Sequence, residues 1–277
     1  MPSKYRPQIF DWFDDLDKIA NYKYESHNDR LIYANNNYCA FIRKTFNAQI
    51  FYTCLYFIGI IFGSVAIIPC LALVVLHDNS KIEFIDLVVI IGFIACIFGL
   101  YIIIPEFYQN AFSRRGSPII FNRQTGKVYV NESYFFNFKI RRHLKLFLQP
   151  RKRRIQEFDW QDMHGVIIHN GSRHPLSTSV LMVCQPGTHQ VIDHVILESG
   201  IADRALVVRF LWGWLNSFMK FYKSANIDGG KYKTAEEAKF KKDIIEGQGW
   251  PEWMVEAFNA TSLEELAVIK QKYNINP

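Results

Sequence analysis

Residues 50–76 contain no Asp, Glu, Lys, Arg or His, and residues 87–104 are equally free of charge. These two apolar runs, joined by the mostly polar connection 77–86, constrain the chain more than any other feature. A helix needs about 20 apolar residues to cross about 30 Å of hydrocarbon. Helices of soluble cores usually keep a polar face, and two in tandem that are apolar all round are rare. Residues 50–104 therefore read as a transmembrane helical hairpin. The alternative is a pair of buried core helices.

Small residues recur inside this hairpin. Gly59 and Gly63 are four apart in the first run; Gly92, Ala95 and Gly99 supply a similar spacing in the second. In lipid, small residues let two helix backbones approach and so replace the missing hydrophobic drive. The spacing predicts close packing within the hairpin or between two copies of the chain, although Gly is also simply frequent in membrane helices. Pro69 lacks an N–H for the helical ladder, which predicts a kink. Pro105 and Glu106 are expected to end the second span.

Orientation follows from the flanking charges. Arg43 and Lys44 precede the first run, and Arg114 and Arg115 follow the second. The connection carries Lys81 against Asp78, Glu83 and Asp86. The excess of cations outside the hairpin predicts that both termini are cytoplasmic. Residues 1–30 are polar and charged, without the apolar stretch of a secretory leader. The five cysteines, Cys39, Cys54, Cys70, Cys96 and Cys184, show no C-x-x-C spacing and suit a reducing compartment.

The net charge of +6 has a local origin. Lys139, Arg141, Arg142, Lys145, Arg151, Lys152, Arg153 and Arg154 carry eight positive charges with no acid between Phe138 and Gln156, and without those eight the rest of the chain carries −2. Three readings compete for this segment. It contacts anionic headgroups, where each cation is worth about 1 kcal/mol. It meets an acidic protein partner. Or it is a solubilising loop that reinforces topology. Nucleic acid is disfavoured, because Phe147 is the only aromatic interleaved for stacking.

The organisation divides into an N-terminal cytoplasmic segment (residues 1–49), the hairpin (50–104), a β-rich domain with a closing helix (116–223) and a helical tail (231–277). In the first segment, Phe10, Trp12 and Phe13 among acids suggest a short amphipathic helix, and Asn35, Asn36 and Asn37 break any longer one. After the hairpin the pattern switches to short strand-like runs. Residues 118–121 and 127–130 flank a turn with Gly126 where positive φ is needed. Further runs at 134–140, 144–148, 154–158, 166–169, 180–184 and 191–197 complete an antiparallel meander. An amphipathic helix follows at about 202–222, with Val207, Phe210, Leu211, Trp214, Phe218 and Phe221 on one face. In the tail, Thr234 with Glu237 and Ser262 with Glu265 fit capping boxes, and Pro251 suits a first helical turn.

Chemical motifs are missing. No phosphate-binding glycine loop, nucleophile elbow or H-E-x-x-H sequence occurs. His164 and His169 bracket one strand, His189 and His194 another. A metal site would require those two strands to pair and further ligands to join them. Glu157, Asp159 and Asp162 around Trp160 read as a solvated turn. The reading is no enzyme, no catalytic or metal-binding residue and no cofactor.

The run Ile120-Phe121-Asn122-Arg123-Gln124-Thr125-Gly126-Lys127-Val128-Tyr129, the segment Phe158-Asp159-Trp160 and the helix containing Trp212-Gly213-Trp214-Leu215-Asn216-Ser217-Phe218-Met219 follow two spans. This order resembles bacterial two-span membrane proteins with a cytoplasmic pleckstrin-homology-like domain. More narrowly, it is similar to an uncharacterised family associated with type VI secretion effectors. The resemblance covers residues 50–223. It implies an α+β inner-membrane protein: a two-helix hairpin, a pleckstrin-like antiparallel sheet or barrel with a capping helix, and a helical tail. It also implies an immunity or partner protein that neutralises a secreted toxin by binding. The alternative is a structural or signalling membrane protein whose domain reads anionic lipid or a secretion component. Expected partners are a cognate effector, the membrane, anionic lipid and a second copy of the chain.

Overall fold

The computed structural model describes residues 12–16, 31–42, 46–76, 84–112, 118–133, 153–170, 176–199, 205–220, 237–246 and 248–275. Among these residues, nine strands fall in two antiparallel sheets. The first sheet has the order β2 (Leu31–Ala34), β3 (Tyr38–Phe41), β4 (Ile119–Asn122), β5 (Lys127–Ser133), β6 (Arg153–Asp159). The second has the order β1 (Trp12–Leu16), β7 (Met163–Asn170), β8 (Leu176–Cys184), β9 (Val191–Ser199). The protein is α+β, with antiparallel sheets where short alternating runs were expected.

Two apolar helices lie between β3 and β4 in the chain: α1 (Phe46–Leu76) and α2 (Phe84–Phe112). They pack on each other. Within α1, Ile50–Cys70 is long and apolar enough to cross a membrane, and none of that span is buried in the protein. Leu87–Tyr101 of α2 is a shorter apolar stretch. Phe62 is 71 % exposed and Ile68 67 %. A soluble core helix hides such side chains, so these two are not the core of the sandwich. Pro69 lies inside α1, which runs on to Leu76. α2 also runs through Pro105 to Phe112, so that proline does not end the helix.

The main core lies between the sheets and α3 (Ala205–Met219). Alternate residues of β3, β4 and β5 point into it, among them Cys39, Phe41, Ile119, Phe121, Val128 and Val130. Met163, Ile167, Leu181, Val183, Val195 and Leu197 face them from the second sheet. The aromatic side of α3 closes it. Trp214 meets Phe41 edge-on at 5.6 Å, and Trp212 lies 5.5 Å from Trp160. Gly165 of β7 is needed where Trp212 and Leu16 press on the backbone: a Cβ there would sit 3.0 Å from each. Between β6 and β7 the chain passes from the first sheet to the second at a 3-10 turn, Trp160–Asp162, pinned by the Trp160 N–H donating to the Gly126 carbonyl at 2.9 Å.

The C-terminal region forms α4 (Glu237–Phe240), continuing into a π-turn (Lys241–Ile245), then α5 (Glu252–Ala257) and α6 (Leu263–Lys272). These cover the outer face of the first sheet. Tyr33, Tyr38, Ala40, Ile120 and Tyr129 there are buried with Phe240, Trp250, Met254, Phe258, Leu266 and Ile269.

The division expected from sequence changes in two places. Residues 1–49 supply β1, β2 and β3; among these residues the described ones contain no amphipathic helix around Trp12, and β1 pairs instead with β7. An exposed Phe13 alternating with inward Leu16 suits a strand edge. The tail is not a separate unit, because it shares a core with the sheet. The expected strands at 134–140 and 144–148 lie outside the described residues.

Candidate functional site

Of the eight cations expected to form one exposed surface, Lys139, Arg141, Arg142, Lys145, Arg151 and Lys152 lie outside the described residues. Arg153 opens β6 opposite Ser133. Arg154 corrects the expectation. It is buried at 8 % exposure, and its guanidinium pairs with Asp193 of β9 and bonds to Gln156. A cation held this way closes the seam between the free edges of the two sheets. It is not available to a partner.

The small residues of the helices separate into two roles. A Cβ on Gly63 would stand 2.8 Å from Leu100 Cδ2, and one on Gly59 3.4 Å from Ile103 Cδ1. These glycines let α1 approach α2. Gly92 and Gly99 have nothing within 4 Å of such a Cβ, and Ala95 is exposed, so they do not make the contact between α1 and α2.

The strand pairing that a histidine metal site would require is not formed. β8 separates β7 from β9, so the strands bearing His164 and His194 do not pair. The rings of His164 and His189 lie 6.2 Å apart. Among the described residues no group of three or more His, Cys, Asp or Glu could hold a metal.

Sequence reasoning missed two polar assemblies that lock the C-terminal helices onto the sheet. At the turn end, Asn122 is fully buried. Its Nδ2 donates toward the carbonyls of Ala257 (3.3 Å), Phe258 (3.1 Å) and Ala260 (2.9 Å), while its Oδ1 accepts from the N–H groups of Gln124 and Thr125. Asn37 donates to Asn259 Oδ1 at 2.9 Å. The Asn35-Asn36-Asn37 run is thus a turn whose amides hold the end of α5. Arg123 joins it, with Nε donating to the Asn36 carbonyl and its guanidinium 4.9 Å from the Phe218 ring. Burial holds the Arg123 pKa below its usual value.

On the strand face, Glu157 Oε1 accepts from Lys270 of α6 at 2.8 Å and lies 3.4 Å from Lys127. Lys127 also pairs with Asp159 at 2.7 Å. Burial acts to lower the Lys127 pKa, but the bond and charge of Asp159, with Glu157 behind it, outweigh this and raise it. Glu157 and Asp159 are therefore parts of a charged seam and not a solvated turn. Nearby, burial and then the Glu157 charge push the Tyr129 phenol well above its usual range. The repeated Asn and the Asn-Arg-Gln-Thr-Gly turn were the visible signals, but nothing local told which partner they would hold.

Residues 96–247, more than half of the chain, match a family of unknown function, DUF6708. The chain belongs to that family. The DUF6708 match begins within α2 and ends just beyond the π-turn, so it spans β4 to β9 and α3. The strands β1–β3, which complete both sheets, and the helices α5 and α6 lie beyond the DUF6708 match. No curated protein and no solved structure matches the chain.

Proposed function

We propose that this DUF6708 protein is a membrane-anchored binding protein of the bacterial inner membrane, with α1 and α2 spanning as a hairpin. The two-sheet unit closed by α3 is then a cytoplasmic pleckstrin-homology-like domain. The observation that carries the reading is the β3–β4 ladder. Phe41 and Ile119 sit side by side in one sheet, and the chain between them leaves into two apolar helices and returns. Backbone that is hydrogen-bonded in one sheet stays on one side of a bilayer, so the crossings between β3 and β4 are even in number. The exposed apolar side chains of both helices support two.

On this reading the domain presents a binding surface at the inner face, and the partner is a secreted effector that it neutralises by occlusion. The sequence resemblance supplies that partner class. The alternative is a structural or signalling role in which the domain reads anionic lipid or a secretion component. Co-expression with a toxin-like neighbouring gene product discriminates the two. Survival of the host together with co-purification of the pair is expected. Toxicity that the full chain does not relieve, with no co-purification, rejects the immunity reading.

A further inference from the structure

The contacts between α1 and α2 fix which parts of the two helices stand level. A Cβ on Gly63 would meet Leu100, one on Gly59 would meet Ile103, and the rings of Phe57 and Phe107 lie 5.9 Å apart. Each step up α1 is therefore one step back along α2. On this register residue 59 stands level with about residue 104, and residue 76 with about residue 87. The charge-free run of α2, residues 87–104, thus lies beside residues 59–76 of α1.

Two placements of the hydrocarbon layer compete. A layer over Ile50–Cys70 takes in the later part of α2, which contains Glu106, Gln109 and Asn110, and leaves the apolar residues 71–76 and 87–91 in water. A carboxylate in hydrocarbon and apolar surface in water are both unfavourable. A layer over residues 59–76 and 87–104 takes in no charged residue. Its eighteen residues on each helix rise about 27 Å, close to the usual thickness of about 30 Å.

The second placement leaves helix over on the domain side. There α1 continues back to Phe46 and α2 on to Phe112. These extensions rise about 20 Å and about 12 Å, whereas one headgroup layer adds only about 5–7 Å. Tyr52 stacks on Tyr56 at 6.1 Å, Phe107 meets Tyr108 edge-on at 6.0 Å, and all four are half-buried. Tyrosine concentrates at the polar boundary of a membrane, where its ring is covered and its hydroxyl is wet. Three of the four tyrosines of the two helices stand here, and Tyr101, three residues inside the boundary, reaches it by snorkelling. Phe51, Leu55 and Ile58 add exposed apolar surface on α1 beside the polar sequence of α2. That mixture of apolar and polar groups suits the interface.

We propose that the hairpin crosses the bilayer off-centre. Residues 59–76 and 87–104 occupy the hydrocarbon, and residues 46–58 with 105–112 form a paired helical stem on the cytoplasmic side. Tyr52, Tyr56, Phe107 and Tyr108 seat the base of that stem in the glycerol and ester layer of the lipid. This rests on the hairpin reading of α1 and α2. It makes the stem a spacer that sets the height of Phe41 and Ile119, and so of the first sheet, above the bilayer.

Native cysteines serve as depth markers for the test. Cys96 stands near the middle of the proposed layer, Cys70 about 9 Å inside its outer boundary and Cys54 about 7 Å beyond its inner one. Three forms of the full chain each keep one of these, the other two changed to Ala. Cys39 and Cys184 stay in place, buried in the domain, and a form lacking all three markers supplies their background. A fourth form carries Val65→Cys alone, a site as exposed as Cys54 but inside the layer. Each is labelled in nanodiscs, where both faces are accessible, with a small water-soluble maleimide. Only the thiolate reacts, and hydrocarbon suppresses it. Relative to the same chain unfolded, Cys54 should react at least tenfold faster than Cys70, Cys96 and Val65→Cys. Cys54 as slow as Cys96 overturns the proposal, because the layer then extends to residue 50. Cys70 as fast as Cys54 overturns it in favour of a layer over Ile50–Cys70. Alkaline extraction of membranes separates this proposal from the one beneath it. A chain released by alkali, with all four sites fast, rejects the hairpin and the proposal together, whereas a retained chain with a slow Cys54 rejects the proposal alone.

Discussion

Ile119 of β4 lies opposite Phe41 of β3 in one antiparallel ladder, although residues 42–118 and both apolar helices separate them in the chain. The pairing makes topology a matter of geometry as well as of charge. A membrane-impermeant label applied to intact cells should reach a cysteine placed at Asn79, in the connection between α1 and α2, and miss one at Asn276. Labelling at both sites contradicts a hairpin whose two ends share a sheet, and labelling at Asn276 alone contradicts the orientation read from the flanking charges.

The two sets of small residues should respond differently to bulk. Gly63→Ile drives a branched side chain into Leu100 and should weaken the α1–α2 contact by about 1–3 kcal/mol, the usual range for overpacking. Gly99→Ala meets open space and should be neutral or slightly stabilising, since Ala is the better helix former. Thermal unfolding of the full chain in lipid nanodiscs reads both. A loss on Gly99→Ala equal to that on Gly63→Ile would show that the contact uses the other face of α2.

Gly165→Ala tests the closure of the sandwich. The added methyl meets Leu16 and the Trp212 ring at 3.0 Å, and neither is the free end of a flexible chain. A cost of about 1–3 kcal/mol is expected. For a unit of this size that is a fall of roughly 2–4 °C in Tm per kcal/mol. Near-UV circular dichroism of Trp212 and Trp160 should change with it.

Asn122→Asp replaces a donating amide by a carboxylate directed at three carbonyl oxygens. Leaving buried carbonyls unpaired costs about 1–3 kcal/mol each time a donor is lost, and a buried charge adds to it. The helices α4–α6 should then release from the sheet before the sandwich itself melts. Limited proteolysis should cut within residues 221–236 at protease levels that leave the wild type intact. An unchanged cleavage pattern would mean that the apolar contacts of Phe240, Met254 and Phe258 hold the helices alone.

Stability should decline above about pH 10. Burial, then the charge of Glu237, raises the Tyr38 phenol far above its usual value; burial and Glu157 do the same for Tyr129. A group whose folded pKa is raised keeps its full contribution below the unfolded pKa, near 10 for Tyr, and loses it as pH rises beyond. Tyr38 also donates to Glu237 at 3.0 Å, so ionisation breaks a bond that holds α4. Spectroscopic titration should show tyrosines that ionise only on unfolding. Tyr38→Phe should flatten the alkaline decline while lowering stability at neutral pH. An alkaline limb that Tyr38→Phe leaves unchanged would assign it to other groups.

What the sequence revealed depended on whether the signal was local. Charge-free runs, the Gly126 turn at φ 65°, the alternation of β7 to β9 and the 3.6 period of α3 are all set within a short stretch, and each is found in the structure. The Ser262 cap is also present, its hydroxyl accepting from the Glu265 N–H at 3.2 Å. Glu265 reaches back one residue further than the motif predicts, to the Thr261 N–H. Pro251 stands just before the first turn of α5, at its cap. What could not be read was pairing across distance. Leu31–Ala34 and Tyr38–Phe41 are four residues each, too short for a period to show, and they are strands because they pair with each other and β3 pairs with β4. Arg154 looks like the end of a basic run until β9 brings Asp193 to it.

The insertion of two apolar helices between adjacent strands also sets an order of events during synthesis. At about 5–20 residues per second, β4 leaves the ribosome several seconds after β3. Throughout that interval β3 has its partner β2 on one side only, and Phe41 has no Ile119 to face. Strand β4 becomes available only after the apolar segments have left the exit tunnel and met either the bilayer or a chaperone. On the proposed hairpin, completion of the first sheet would therefore report that the helices have been delivered with both ends on one side. On the same proposal, a chain inserted with one helix left behind would be unable to bring Phe41 to Ile119, and its first sheet would keep an unpaired edge at β3.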